Sequence, residues 1–256
     1  YFPKFFHPDP SVKRQSGFLM PSFSDSSSLG TSINIPYYKV ISDNKDLTMR
    51  PRFYSTEELL VQTEYREVNA TADHIIDFSF AKDGGKSTKS HFFSKSKKKL
   101  NFNSFDESEL KIDLQQSPND TYLKTYKLKS PIIENTSLLT SSLSINAYRD
   151  DLSFDAEFRV FEDLSKPDSD RYEFVYPTYN LSKTLEIDSG LDGIYSFASS
   201  GHIKNHDTNI FEKVLINDLK FNSDAKFSEK GFKTNYNFLI KNVNTDSKNS
   251  KSYREK

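Results

Sequence analysis

A chain of 256 residues can hold one large β domain or two ordinary ones, and its 35 basic against 36 acidic residues leave a net charge of −1. That balance removes any global field for nucleic acid, and the absence of cysteine removes disulfide scaffolds, thiolate metal sites and cysteine nucleophiles together. Only 35% of residues are hydrophobic, yet 14% are aromatic, which excludes a disordered chain and suits a sheet with one wet face and one apolar face.

In chain order, residues 1–12 carry three prolines and four aromatics, an extended stretch read as the tail of a preceding domain. The chain opens on Tyr1-Phe2-Pro3 without an initiator Met, which reads as a fragment of a longer precursor. From Lys13 to Tyr38 come two short strands joined by a serine-rich turn. Pro21 closes the first and Pro36 interrupts the second, 15 positions later. Proline cannot donate to a ladder, so the pair marks either a weak pairing or two loop positions.

Period-2 alternation then dominates. Leu47, Met49 and Phe53 alternate with Thr48, Arg50 and Arg52, and Leu59, Val61 and Tyr65 with Gln62, Glu64 and Arg66. Ile76, Phe78 and Phe80 face away from Asp77 and Ser79, and Leu110, Ile112 and Leu114 from Glu109, Lys111 and Asp113. The cleanest run is Leu152 to Val160, five apolar positions interleaved with Ser153, Asp155, Glu157 and Arg159. Phe232, Thr234, Tyr236, Phe238 and Ile240 repeat the pattern as one further strand, and Asn242–Lys256 reads as a polar loop. This gives about ten or eleven strands in an antiparallel meander. Short turns are expected at 42–45 and 69–72, longer polar loops at 24–29, 82–90 and 164–170. No apolar run reaches the roughly 20 residues of a membrane helix, but barrel strands need only about 10 alternating residues each. The charged parity could not fill a narrow dry barrel, whereas a wet lumen or a solvated outer face would accept it.

Chemical constellations are sparse. His202 and His206 are four apart, as on a zinc-binding helix face, but Ser199-Ser200-Gly201 before them reads as loop and no third ligand is evident, so the reading is no metal. No nucleophile elbow exists, and the carboxylate pairs Asp150-Asp151 and Glu57-Glu58 sit at turn positions. The run Lys95, Lys97, Lys98 and Lys99 is either solvated or, on a strand near a membrane surface, a contact for anionic lipid headgroups. Nothing calls for a cofactor or a catalytic residue.

The opening motif resembles a known family. Lys13, Arg14, Ser16, Gly17 and Phe18, running on to Pro21, followed by Pro36-Tyr37-Tyr38 and Asp46-Leu47-Thr48-Met49-Arg50-Pro51, look like the start of the outer-membrane barrel of the LptD family of LPS-assembly proteins. Glu64-Tyr65-Arg66 resembles the family's fourth-strand pattern, and Asn119-Asp120-Thr121-Tyr122 its Ser-Asp-x-x-Tyr segment. The likeness is closest over residues 1–66, extends to about 182 and fades beyond; the chain departs from the family in having no Trp near Tyr37-Tyr38. The resemblance implies an all-β fold: an antiparallel meander forming the N-terminal part of a large outer-membrane β-barrel over residues 13–256, preceded by the last strand of a periplasmic β-jellyroll over residues 1–12. Phe2, Phe5 and Phe6 would then lie at the jellyroll's lipid exit, and Pro21 and Pro36 in a lateral gate between the first and last barrel strands. The implied partners are lipopolysaccharide, outer-membrane lipids, the plug lipoprotein LptE and the bridge protein LptA. A passive porin-like channel and a soluble β-sandwich binding module share the alternation and stay open at this point.

Overall fold

Side chains that alternate apolar and polar over ten or more residues can share a face only in extended chain, and nearly the whole molecule takes that solution. In this computed structural model residues 14–249 are described, apart from 57, 84–86, 188–189 and 207–209. The expected jellyroll strand with Phe2, Phe5 and Phe6 lies outside the described residues, as does Lys13.

The strands are β1 (Gly17–Phe18), β2 (Ser22–Ser26), β3 (Gly30–Asn34), β4 (Tyr37–Ser42), β5 (Lys45–Tyr54), β6 (Leu59–Val68), β7 (Ala72–Asp83), β8 (Ser87–Lys99) and β9 (Glu107–Gln116). After the helical turn α1 (Tyr122–Thr125) follow β10 (Leu138–Arg149), β11 (Leu152–Asp163), β12 (Tyr172–Leu185), β13 (Gly193–His206) and β14 (Ile210–Ser223). A small hairpin of β15 (Lys226–Phe227) and β16 (Lys233–Thr234) precedes β17 (Asn237–Lys248). All but that hairpin form one 15-stranded sheet in the order β1-β4-β5 and onward to β14-β17, with β2 on β3 and β3 on β5. The expected antiparallel meander is what the chain forms.

Register separates the two faces. Thr48 pairs with Glu64, Glu64 with Asp77 and Ser79 with His91, so these polar residues share one face. On the other, Met49, Phe53, Phe78, Phe80, Phe92, Leu114 and Phe158 stand 38–48% exposed, an apolar belt running from β5 to β11.

The polar face is not empty over its first half. The connection from β9 to β10 folds back across it and buries Tyr122, Leu123, Tyr126, Leu128 and Ile132 against Leu60, Ala81 and Phe93. Strand side chains cap its backbone: the Gln62 amide donates to the Lys129 carbonyl at 2.9 Å and the Arg52 guanidinium to the Tyr126 carbonyl at 2.8 Å. The Tyr126 hydroxyl donates to Glu58 at 2.5 Å, and the Tyr122 hydroxyl meets Ser79 at 2.7 Å. Burial pushes the Tyr122 hydroxyl up to about 12, so it stays protonated across the physiological range.

Three local expectations are corrected. His202 and His206 lie on β13, not in a loop: Gly201 pairs with Tyr179, whose ring lies 3.0 Å from where a Cβ would stand, so the glycine accommodates a cross-strand aromatic rather than a turn. Residues 232–240 are divided between the β15–β16 hairpin and β17, which carries the ladder through Asn242–Lys248 where a loop was expected. Backbone pairing with β14 holds that polar stretch without apolar side chains, helped by Lys241 and Asp218 at 2.9 Å. The long loops expected at 24–29 and 82–90 are shorter, because β2 runs to Ser26, β7 to Asp83 and β8 starts at Ser87.

Leu123 is fully buried between the inward segment and the sheet. Leu123→Ala is expected to cost about 2–5 kcal/mol and, by loosening the backbone of the inward segment, to speed tryptic cleavage after Lys124 and Lys127. Denaturant unfolding and limited proteolysis of the intact protein in detergent check this.

Candidate functional site: the proline-broken strands and their surroundings

The first crossing of the sheet is β1 and β2, the second is β3 and β4, and both are broken at the same level. Phe18 pairs with Tyr37 and Ser22 with Asn34, so Leu19-Met20-Pro21 stand against only Ile35-Pro36. Three residues facing two is a bulge, with Pro21 on one side of the break and Pro36 on the other.

The hydrogen bonds show what the prolines remove. Leu19 N–H donates to the Pro36 carbonyl at 2.8 Å, and Ile35 N–H to the Pro51 carbonyl at 3.2 Å. In an antiparallel ladder each such pair normally exchanges two bonds. Pro36 cannot return the first and Pro51 cannot return the second. The deficiency therefore spans two interfaces, first to second crossing and second to third. Pro51 was visible in the sequence only as part of the opening motif. Its spacing of 15 from Pro36, the same as Pro36 from Pro21, is a signal that could have placed it on the line.

Side chains hold the ends of the break. At the lower end the described motif residues meet one another: Gly17 and Phe18 pair with Tyr38 and Tyr37. Phe18 packs edge-on against Tyr37 with centroids 5.1 Å apart, and the Val40 N–H donates to Ser16 Oγ at 2.8 Å. Arg14 lies over the Tyr38 ring at 5.9 Å and pairs with Asp46, which is 4% exposed at its side chain and also held by Arg66 at 2.8 Å. At the upper end Ser24 and Ser32 share a hydrogen bond of 2.7 Å. Gly30 makes the turn there at φ +69, where a Cβ would strike Ser55 Oγ.

The lysine run is divided by the pleat. Register puts Lys95 and Lys97 on the polar face opposite Asp113 and Lys111, while Lys98 opposes Leu110 on the other parity. Lys97 is bound to Glu109 at 2.7 Å, which also holds Lys111 at 2.8 Å. Lys99 shares a cavity wall with Lys97, Glu109 and Asp155.

A second cavity, about 650 Å³, lies beside the break, between β2 and the inward segment. Among the described residues no cluster of three or more His, Asp or Glu has metal-binding geometry.

Restoring a donor at position 51 is expected to tighten the second interface. Pro51→Val should slow amide exchange at Ile35 by about 2- to 10-fold, the equivalent of about 0.5–1.5 kcal/mol. Hydrogen exchange followed by mass spectrometry checks this.

No protein-family model matches the chain. Among curated proteins it is 25% identical over 223 residues, 85% of its length, to LPS-assembly protein LptD of Pseudomonas entomophila, covering 23% of that protein. Over shorter stretches it is 34% identical to LptD of Pseudomonas aeruginosa across 71 residues, 28% of this chain and 8% of that one. It is 46% identical to LptD of Shewanella frigidimarina across 56 residues, 22% of this chain and 7% of that one. The chain thus spans less than a quarter of the length of these relatives. The family it resembles, at low identity over most of its length and more closely over a short stretch, is that of the LPS-assembly protein LptD.

Proposed function

We propose that this chain forms the first part of an outer-membrane β-barrel that places lipopolysaccharide in the outer leaflet through a lateral gate between the first and last barrel strands. The observation that carries the reading is the matched break at Pro21 and Pro36. It leaves the first crossing tied to the sheet by the two-residue β1 pairing, the five-residue β2 ladder and one bond between them. A strand so loosely held can swing away from a last-strand partner without unzipping the rest of the meander. Acyl chains would leave sideways into the bilayer through the parted seam, while the sugars stay on the wet polar face.

The exposed apolar belt supports the membrane setting: its phenylalanines face lipid, and the charged parity faces water. The similarity to LptD proteins supports lipopolysaccharide as the cargo. On this reading the N-terminal residues are periplasmic, with Phe2, Phe5 and Phe6 at the lipid exit of a jellyroll. The bridge protein LptA delivers from below, and the plug lipoprotein LptE occupies the barrel. Lys98, on the apolar parity at the end of β8, is the lysine of its run placed to meet anionic headgroups. No covalent step is required, and the driving energy comes from elsewhere in the transport machine. A passive porin would share the two faces but has no use for prolines aligned across neighbouring strands.

Photocrosslinking probes beside Pro21 and Pro36 in the intact protein are expected to capture lipopolysaccharide in cells. Pro21→Val with Pro36→Val should abolish delivery to the cell surface. Absent adducts together with undiminished delivery would leave an ordinary channel.

A further inference from the structure

We infer that the β15–β16 hairpin is a membrane-surface anchor, its exposed rings and lysines lying in the phospholipid headgroup layer at the lower end of the sheet. The inference rests on the membrane setting proposed above and is independent of cargo and gate. Strand direction reverses at each crossing, so the connection from β14 to β17 leaves the sheet at the end where β1 begins.

A tight turn would have served, as Asp150-Asp151 does between β10 and β11. Instead residues 224–236 build a ribbon of their own, with Lys226 opposite Thr234 and Phe227 opposite Lys233. Gly231 turns its tip at φ +81, where Phe232 N–H donates to Ser228 Oγ at 3.1 Å and Ser228 N–H to the Phe232 carbonyl at 2.9 Å. The root is tied to the neighbouring β12–β13 connection. Asp224 N–H donates to the Asp192 carbonyl at 3.0 Å, and Lys226 reaches the Asp192 carboxylate at 3.4 Å. Backbone and ion pairing thus hold the hairpin without a core. Phe227, Phe232 and Tyr236 stand 72%, 70% and 67% exposed, and Ile187 and Ile194 next to the root are exposed as well. A two-stranded ribbon this short is marginal in water, yet it carries its bulkiest apolar groups on the outside.

The apolar parity of the sheet runs down to the hairpin's root. Leu219 pairs with Ile240 and Phe221 with Phe238, and Leu219, Phe238 and Ile240 are exposed. Tyr236 lies two residues beyond Phe238, and the hairpin adjoins it. Two residues at about 3.3 Å each span about 7 Å, and the headgroup layer is roughly 5–8 Å deep on each side of the hydrocarbon. The hairpin's rings therefore fall where aromatic side chains settle at a membrane surface. Charge agrees with that depth. Lys230 and Lys233 are exposed and form no ion pair among the described residues, with Glu229 the acid beside them. Lys233 Nζ lies 6.0 Å over the Phe227 ring, so cation and ring are presented together. Such a pair can set the ammonium on lipid phosphates while the ring enters the glycerol layer.

The test uses the intact protein in vesicles of phosphatidylethanolamine and phosphatidylglycerol. This chain has no Trp, so Phe232→Trp adds an emission that is read as the difference from the parent protein. That emission is expected to lie at shorter wavelength than in denaturant. Lipid brominated at the glycerol end of its acyl chains should quench it more than lipid brominated at the methyl end, and more than aqueous iodide. With Lys230→Glu and Lys233→Glu added, the quenching by lipid should be lost, because phosphate repels acids at those positions. Phe78→Trp, on the apolar belt, should respond best to methyl-end bromine and reports on the membrane setting by itself. An unchanged unfolding midpoint shows that each variant folds. If lipid quenches Phe78→Trp while Phe232→Trp emits as in water and yields to iodide, the anchor falls and the membrane setting stands. Protection of Phe232→Trp from both quenchers would put a protein surface over the hairpin and overturn the anchor. Undiminished lipid quenching in the double lysine variant would overturn it too. If lipid leaves Phe78→Trp untouched, the membrane setting itself falls and the anchor with it.

Discussion

A backbone nitrogen without a hydrogen is the constraint on which this molecule turns. A sheet of long antiparallel strands is cooperative because each residue of a hydrogen-bonded pair both gives and takes a bond. Pro36 and Pro51 take without giving, at adjacent positions on adjacent crossings, and Pro21 closes the first strand at the same level. Each missing bond is worth only about 0.5–1.5 kcal/mol, but their alignment concentrates the loss along one line across the sheet. Other ladders run unbroken for twelve pairs, as between β10 and β11, while β12 is bulged at Tyr176-Pro177 against both β11 and β13. The proline line that crosses neighbouring strands lies at one edge.

A weak edge strand is normally a hazard, since unpaired backbone invites foreign strands. Side chains offset the loss without restoring the bonds. Arg14, Asp46 and Arg66 form a charged clasp beneath the break, with Phe18 against Tyr37 beside it. These contacts fix where the strand begins without fixing how its middle lies. Replacing ladder bonds by contacts at the ends converts a zipper into a strap, and this is why the opening motif is dense in Arg, Tyr and Phe just where the prolines are. The inward segment supports the same region from the polar face, bonded to β5, β6 and β7 rather than to the broken crossings.

Much of this was legible beforehand and some was not. The parity of Leu47 to Phe53 or Leu152 to Val160 gave both faces correctly, because a strand exposes its period directly in the side chains. Pro21 and Pro36 were legible as missing donors, but only register could show that they fall on the two sides of one bulge. The inward segment left almost no trace: residues 117–137 have neither period 2 nor sustained period 3.6. Beyond the family-like segment Asn119–Tyr122, their one signal was Tyr122, Leu123 and Tyr126 at the spacing of a single helical turn, too short to distinguish from chance. Gly201 was misread for a related reason, since a glycine after two serines looks like a turn until the ring of Tyr179 is seen lying over it. Backbone bonding in β17 was likewise invisible in residues as polar as Asn242–Lys248.

The inward segment also settles where the polar face is positive. On β8 and β9 the cations and acids come as neighbours: Glu109 holds both Lys97 and Lys111, so a lysine-rich strand presents little net field. On β11 Glu157 likewise neutralises Arg159. Beside the broken strands the pairing is incomplete, because Lys127 and Lys129 arrive from outside the sheet and bring no acid with them. A charge imbalance built by a folded-in connection, rather than by the strands, can be placed at one spot without disturbing ladder pairing. It stands next to the proline-broken edge of the sheet.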